Sequence, residues 1–145
     1  MRIVLQRVKE ASVQVNEKIV GQIGPGLVLL VGIQHGDTEA DARYLADKCV
    51  NLRIFEDNAG KMNISALEIK AEMLAVSQFT LYADSRKGRR PSFVEAAPPE
   101  ESEPLFNHFV QMLKTSGLKV ETGIFGAHML VKILNDGPVT IILDS

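Results

Sequence analysis

Met73-Leu74-Ala75-Val76-Ser77-Gln78-Phe79-Thr80-Leu81 begins as the most apolar run in the middle of the chain and ends in polar side chains. Read with the strand period of two, Ser77 and Phe79 point to one side while Gln78 and Thr80 share the other. Three hydrogen-bonding side chains then gather where an otherwise buried strand runs out. Packing on a pleated surface calls for neither Gln nor Ser, since both lie outside the β-branched and aromatic set. Polar residues also end strands for no functional reason, so a bland reading stands beside the functional one.

Working outward, Leu27 to Ile33 is apolar apart from Gly32, which predicts a strand covered on both faces. Before it, Ile3 to Val8 and Ala11 to Val15 read as two short strands, and Asn16-Glu17 as a turn into a third, Lys18 to Ile23. Gly24-Pro25-Gly26 has the residues of a type II turn and predicts a hairpin. Thr38 caps a helix over Glu39 to Leu52, with Asp41 in its first turn and Ala42, Leu45, Ala46 and Cys49 along one apolar stripe. Arg53-Ile54-Phe55 is a short strand, Asp57-Asn58-Ala59-Gly60 a turn, and Met62 to Lys70 fits strand and helix equally. Beyond the opening stretch, a helix over Glu100 to Ser116 buries Leu105, Phe109, Met112 and Leu113 and stops at Gly117. Strands follow at Leu118 to Thr122, Leu130 to Leu134 and Thr140 to Leu143. The result is an α/β fold: a mixed, largely antiparallel sheet or partly closed barrel with two main helices packed on it.

The 145 residues suit one domain, 1–145, which can bury roughly two thirds of its unfolded surface. A formal charge of −2 with 46% hydrophobic residues argues against global nucleic-acid affinity, so any such contact must come from a local patch. The single Cys49 forms no internal disulfide, and its place on the helical stripe makes it a core thiol. His35, His108 and His128 are scattered without zinc-ligand spacing, so neither metal nor cofactor is expected. Arg2 and Arg7 interrupt the opening run and no apolar run is membrane-spanning in length. The expected location is the cytoplasm, without secretion or a membrane anchor.

Arg86, Lys87, Arg89 and Arg90 fall in a Gly- and Pro-containing loop directly after the polar strand end, and phosphates are their natural partner. Gly123 to Met129 mixes small residues with Phe125, as a wall approached closely by backbone or ligand would. A side-chain nucleophile at Ser77 or Thr80 needs a base; His128 is the one histidine near, and nothing orients it. No Gly-x-Ser-x-Gly elbow, phosphate-binding loop or dinucleotide fingerprint is present. The other chemistry is a site that works by holding a substrate. Gln78 and Thr80 supply a carbonyl and a hydroxyl, backbone N–H groups at the strand end face an oxyanion, and Phe79, Phe93 and Phe125 offer stacking faces for an RNA end. Gly137-Pro138, if cis, reverses the chain and projects a carbonyl that gauges chirality without a side chain in the way.

Gln6-Arg7-Val8, Gly60-Lys61-Met62-Asn63, Ser77-Gln78-Phe79-Thr80-Leu81, Arg90-Pro91-Ser92-Phe93 and Asn135-Asp136-Gly137-Pro138-Val139-Thr140, in this order and at this length, closely resemble the D-aminoacyl-tRNA deacylases. The resemblance covers nearly the whole chain. It implies a cytoplasmic homodimer that hydrolyses the ester between a D-amino acid and tRNA, and glycine mischarged on tRNA(Ala). It also implies that Gly137-Pro138 is a Gly-cisPro element inserted into the partner's pocket to reject L-amino acids, with Arg7 holding its tip. Ser77, Gln78, Phe79 and Thr80 match the motif lining the pocket for the terminal adenosine and the ester, with Thr80 at a position once favoured as nucleophile. Phe125, Ala127 and Met129 match wall positions. The family view that fits the missing base is assistance by the 2′-hydroxyl of the terminal adenosine. The alternatives are a Thr80 or Ser77 acyl-enzyme and a non-catalytic RNA-binding module.

Overall fold

In the computed structural model, which describes residues 1–145, β1 (Arg2–Val15) is one strand where alternation predicts two. Its buried set runs Ile3, Leu5 and Arg7, then shifts to Val8, Ala11 and Val13. The shift coincides with slips in the pairing of β1 with the last strand on either side of Val8. A bulge adds a residue to one strand and re-aims its face, so one strand serves two cores. β2 (Lys18–Ile23) returns along β1 through Asn16 and Glu17, whose φ angles of 48° and 64° suit a two-residue hairpin.

Gly24-Pro25 makes no hairpin. β3 (Gly26–Gly32) continues in the direction of β2 along the same flank of β1, with Ile23 opposite Ala11 and Gly26 opposite Val8. The bend is caught by a neighbouring strand: Gly24 N–H donates to the Glu72 carboxylate at 2.9 Å, and Glu72 N–H donates to the Pro25 carbonyl at 3.2 Å. Gly26 is required there, because a Cβ would collide with the Glu72 carbonyl.

α1 (Glu39–Asn51) starts where the Asp41 carboxylate accepts both the N–H and the hydroxyl of Thr38, at 2.8 and 2.7 Å. Those bonds hold the Asp41 carboxyl down to about 2. β4 (Arg53–Glu56) and β5 (Met62–Ser65) form a separate two-stranded sheet. The ambiguous segment thus divides: strand first, then the single turn of α2 (Ala66–Ile69), capped by Ser65 and Glu68. β6 (Glu72–Ser77) lies parallel to β3 and is followed by a 3-10 turn, Phe79–Tyr82. α3 (Pro99–Thr115), β7 (Val120–Thr122) and β8 (Leu130–Asp144) complete the chain. β8 is one long strand running through Gly137-Pro138, where two were expected.

Strand pairing is antiparallel around β1, with β2 and β3 on one flank and β8 on the other, and parallel across β3, β6 and β7. The sheet rolls until Gly21 of β2 faces the Thr122 carbonyl of β7, giving the nearly closed barrel that the sequence suggests. Helices α1 and α3 cover its outer face, where Leu45, Cys49, Phe106 and Phe109 meet Ile3, Leu5, Leu29 and Met73. Inside the roll, Val8, Val13, Ile23, Val28, Leu74 and Val76 form a second core. β3 and β6 are therefore buried on both faces, and each leucine removed from water there contributes about 2–3 kcal/mol. No helix is long and apolar enough to cross a membrane.

Candidate active site

β6 leaves the sheet at Ser77, and Gln78 (φ −144°, ψ 76°) turns the chain into the Phe79–Tyr82 3-10 helix. The expected strand alternation therefore ends one residue too soon to place Gln78 and Thr80 on a common face. They meet by a different route: the Gln78 side-chain amide donates a hydrogen bond to the Thr80 hydroxyl. Gln78 N–H is fixed to the Val31 carbonyl at 2.8 Å, which ties the turn to the buried sheet.

Ser77, Gln78 and Phe79 line a cavity of about 580 Å³ that Phe125, Ala127 and Met129 also line. Phe93 packs edge-on against Phe79 with ring centroids 5.1 Å apart, making an aromatic rim of two half-exposed rings. Thr80 is exposed and stands outside the cavity lining. His128 borders the cavity, but the partner of the Thr80 hydroxyl is Gln78, not an imidazole. The set lacks the hydrogen-bonded nucleophile and base of an acyl-enzyme site.

Ala96, Ala97, Pro99 and Ser102 also line the cavity and escaped the sequence reading. The segment they begin is stapled to the end of β3, with Ala97 N–H donating to the Ile33 carbonyl at 3.0 Å. In the sequence they form only the small-residue run Ala96-Ala97-Pro98-Pro99, which names no chemistry.

Gly137 and Pro138 lie elsewhere, outside the lining of this chain's own cavity. Their peptide bond is cis and both residues are exposed. Two side chains brace the tip. Asn135 accepts from Val139 N–H at 2.8 Å and donates to the Val139 carbonyl at 3.1 Å, acting as a strand partner to one residue. Arg7, only 6% exposed, donates from Nε to the Asp136 carbonyl at 3.1 Å and from Nη1 to the Ile54 carbonyl at 2.7 Å.

The basic loop is pinched at its base, Asp84 and Ser92 exchanging two backbone hydrogen bonds of 2.8 Å. Arg86 folds back onto the Asp84 carboxylate at 2.8 Å, whereas Lys87, Arg89 and Arg90 are exposed cations without a carboxylate partner. Hydrogen bonds from the Arg86 side chain and N–H hold the Asp84 carboxyl down to about 2.

A family model described as D-Tyr-tRNA(Tyr) deacylase matches residues 4–144. The chain belongs to the D-Tyr-tRNA(Tyr) deacylase family. As a member of this deacylase family it is a hydrolase of the aminoacyl-tRNA ester bond. It is 61% identical over 145 residues to the D-aminoacyl-tRNA deacylase of Thermomicrobium roseum, covering 100% of this chain and 94% of that one. Identity to the D-aminoacyl-tRNA deacylase of Halothermothrix orenii is 62%, covering 100% of this chain and 97% of the relative. Among solved structures, a protein described as c-Myc DNA Unwinding Element Binding Protein superposes with a TM-score of 0.93 at 42% identity, over 100% of this chain and 99% of the other. A probable eukaryotic D-amino acid tRNA deacylase shares the deacylase fold, with a TM-score of 0.88 over 99% and 98% of the two chains at 19% identity.

Proposed function

We propose that this deacylase removes D-amino acids from the 3′ end of tRNA by holding the ester beside Ser77, Gln78 and Phe79, without a side-chain nucleophile. Water adds to the ester carbonyl carbon and the bond to the ribose oxygen breaks. That oxygen regains a proton with help from the neighbouring 2′-hydroxyl, and the amino acid leaves as its carboxylate. Backbone N–H groups at the strand end and the Gln78 side chain position the reacting group, and the Phe79–Phe93 rim receives a base. The observation that carries this reading is the Thr80 hydroxyl bonded to an amide, with no base attached.

Chirality is read by the Gly137-Pro138 tip of a second copy, whose carbonyl takes the substrate amine and leaves no space for an L side chain. Three features support an arrangement across two chains. The tip lies outside its own cavity lining, β8 pairs with β1 alone, and its outer face exposes the apolar Leu130, Leu134 and Ile142. Glycine has no side chain to exclude, so glycyl-tRNA, including tRNA(Ala) mischarged with glycine, is also cleaved. Lys87, Arg89 and Arg90 hold phosphates of the acceptor end, and Arg86, already paired, adds a smaller share.

Incubation with D-Tyr-tRNA and L-Tyr-tRNA tests the selectivity: the D-ester is cleaved and the L-ester survives, and equal cleavage overturns the reading. Thr80→Ala keeps turnover near normal, whereas a 2′-deoxy terminal adenosine abolishes it. A loss of several orders of magnitude in T80A would establish the acyl-enzyme instead. Neutralising Lys87, Arg89 and Arg90 lowers the log–log salt slope of tRNA binding by about 0.7–0.9 for each phosphate that is no longer neutralised.

A further inference from the structure

We infer that the β4–β5 hairpin, which contributes no residue to the cavity lining, is a positioning element for stereochemical selection, with Asp57 and Asn63 as the residues that set it. The inference rests on the reading of the Gly137-Pro138 tip as the chirality gauge.

The coupling runs through Arg7. One end of its guanidinium holds the Asp136 carbonyl, the peptide just before the tip, and the other holds the Ile54 carbonyl in β4 at 2.7 Å. Ile54 is 4% exposed, so its carbonyl is a buried fixed point as long as β4 keeps its place. A planar fork carrying two such bonds transmits displacement from one acceptor to the other.

Beyond its backbone pairing with β5 and the burial of Ile54, β4 is held by a side-chain lattice in the hairpin. The Asp57 carboxylate accepts from Ala59 N–H at 2.8 Å, Lys61 N–H at 3.0 Å and the Asn63 side-chain amide at 3.3 Å. The two backbone bonds are the main reason that its carboxyl sits below the usual carboxylate range. Arg53, the first residue of β4, donates from Nε to the Asn63 carbonyl at 2.8 Å and also engages the Asn63 side chain. Asn63 therefore joins the turn to the strand that carries Ile54. This also gives the exposed Gly60-Lys61-Met62-Asn63 stretch a task that cavity chemistry leaves open.

The experiment measures kcat/KM for D-Tyr-tRNA and L-Tyr-tRNA in the full-length protein for Asp57→Ala, Asn63→Ala, Asp57→Asn and Arg7→Gln. Asp57→Ala and Asn63→Ala reduce the D-to-L ratio by about tenfold, the factor matching one missing charge-assisted hydrogen bond, while kcat on the D-ester stays within about twofold of wild type. Asp57→Asn keeps an acceptor for the two backbone N–H groups and restores most of the ratio. Amide hydrogen exchange, read in parallel, shows faster exchange in β4 and at Val139 in the two alanine variants. If those two amide sets loosen and the ratio is unmoved, the hairpin is only structural and the inference fails. If Arg7→Gln also leaves the ratio unmoved, the tip reading itself fails. Equal loss of activity on both esters overturns the positioning role as well.

Discussion

The strand end at Ser77–Thr80 and the tip at Asn135–Val139 are both places where the chain leaves regular strand geometry, and they are built in opposite ways. Ser77 follows four residues of β6 that are each 2% exposed or less, so packing on both faces fixes where the strand stops. The tip belongs to an edge strand on which Val139 alone is buried, and side-chain hydrogen bonds from Asn135 and Arg7 shape it. Packing spreads the cost of one change over many neighbours, whereas a hydrogen-bonded brace concentrates it. The chemical end of the molecule should therefore tolerate side-chain changes that the selective end does not.

Gly137→Ala is the most direct way to break that contrast. Gly137 has φ of 132°, and a Cβ there would lie 2.8 Å from Val139 Cγ2 and 3.2 Å from Arg7 Nη2. The conformation is nearly exclusive to glycine, so we expect a stability loss of about 1–3 kcal/mol in denaturant unfolding. The tip must also shift, and a misplacement of an ångström reduces discrimination between D- and L-Tyr-tRNA by about 100-fold. Unchanged selectivity would place the gauge elsewhere. Asn135→Ala comes next: it strips Val139 of both hydrogen bonds, at about 1–2 kcal/mol. Thr80→Ala supplies the contrast, with a change in unfolding free energy within about 0.5 kcal/mol, as for an exposed side chain. A loss equal to that of N135A would erase the distinction between the two regions.

The same contrast explains what the sequence discloses. Leu27–Ile33, the stripe of α1 and the apolar half of β6 are legible because continuous burial writes itself into residue type. Features held by hydrogen bonds or long-range register are not. The bend at Gly24-Pro25 has the composition of a reversal, and only Glu72, far along the chain, makes it a continuation. The unity of β1 is hidden because Arg7 and Val8 are buried in succession at a bulge, where alternation fails. Arg7 looks like a charge that belongs in solvent until its two carbonyl partners are seen. At the site, Ser77, Gln78 and Phe79 declare themselves as polar and aromatic residues at a strand end. The alanines at positions 96 and 97 carry no such mark, since a small side chain that makes room resembles one with no task.

Within the strand-end region, the loop from Asp84 to Ser92 is itself hydrogen-bonded rather than packed, and acid should single it out. The Asp84 carboxyl is held down to about 2 by the side chain and N–H of Arg86. A group whose folded value is depressed stabilises the folded form fully above its unfolded value of about 3.9 and loses that contribution as pH falls toward the folded value. The stabilising contribution of the Arg86 latch should therefore be whole at pH 5 and decline below about pH 4, the latch itself releasing only near 2. Asp84 is solvent-facing, so the event is local, and the carboxyl carbon shift of Asp84, followed by NMR from pH 6 downward, is the suitable probe. Little movement is expected until about pH 3, and Arg86→Gln should raise the midpoint toward the ordinary aspartate range near 3.9, the backbone N–H at position 86 keeping its smaller share. A wild-type midpoint already near that range would mean that Arg86 is as free as Lys87, Arg89 and Arg90. All four cations would then count equally in the salt dependence of tRNA binding.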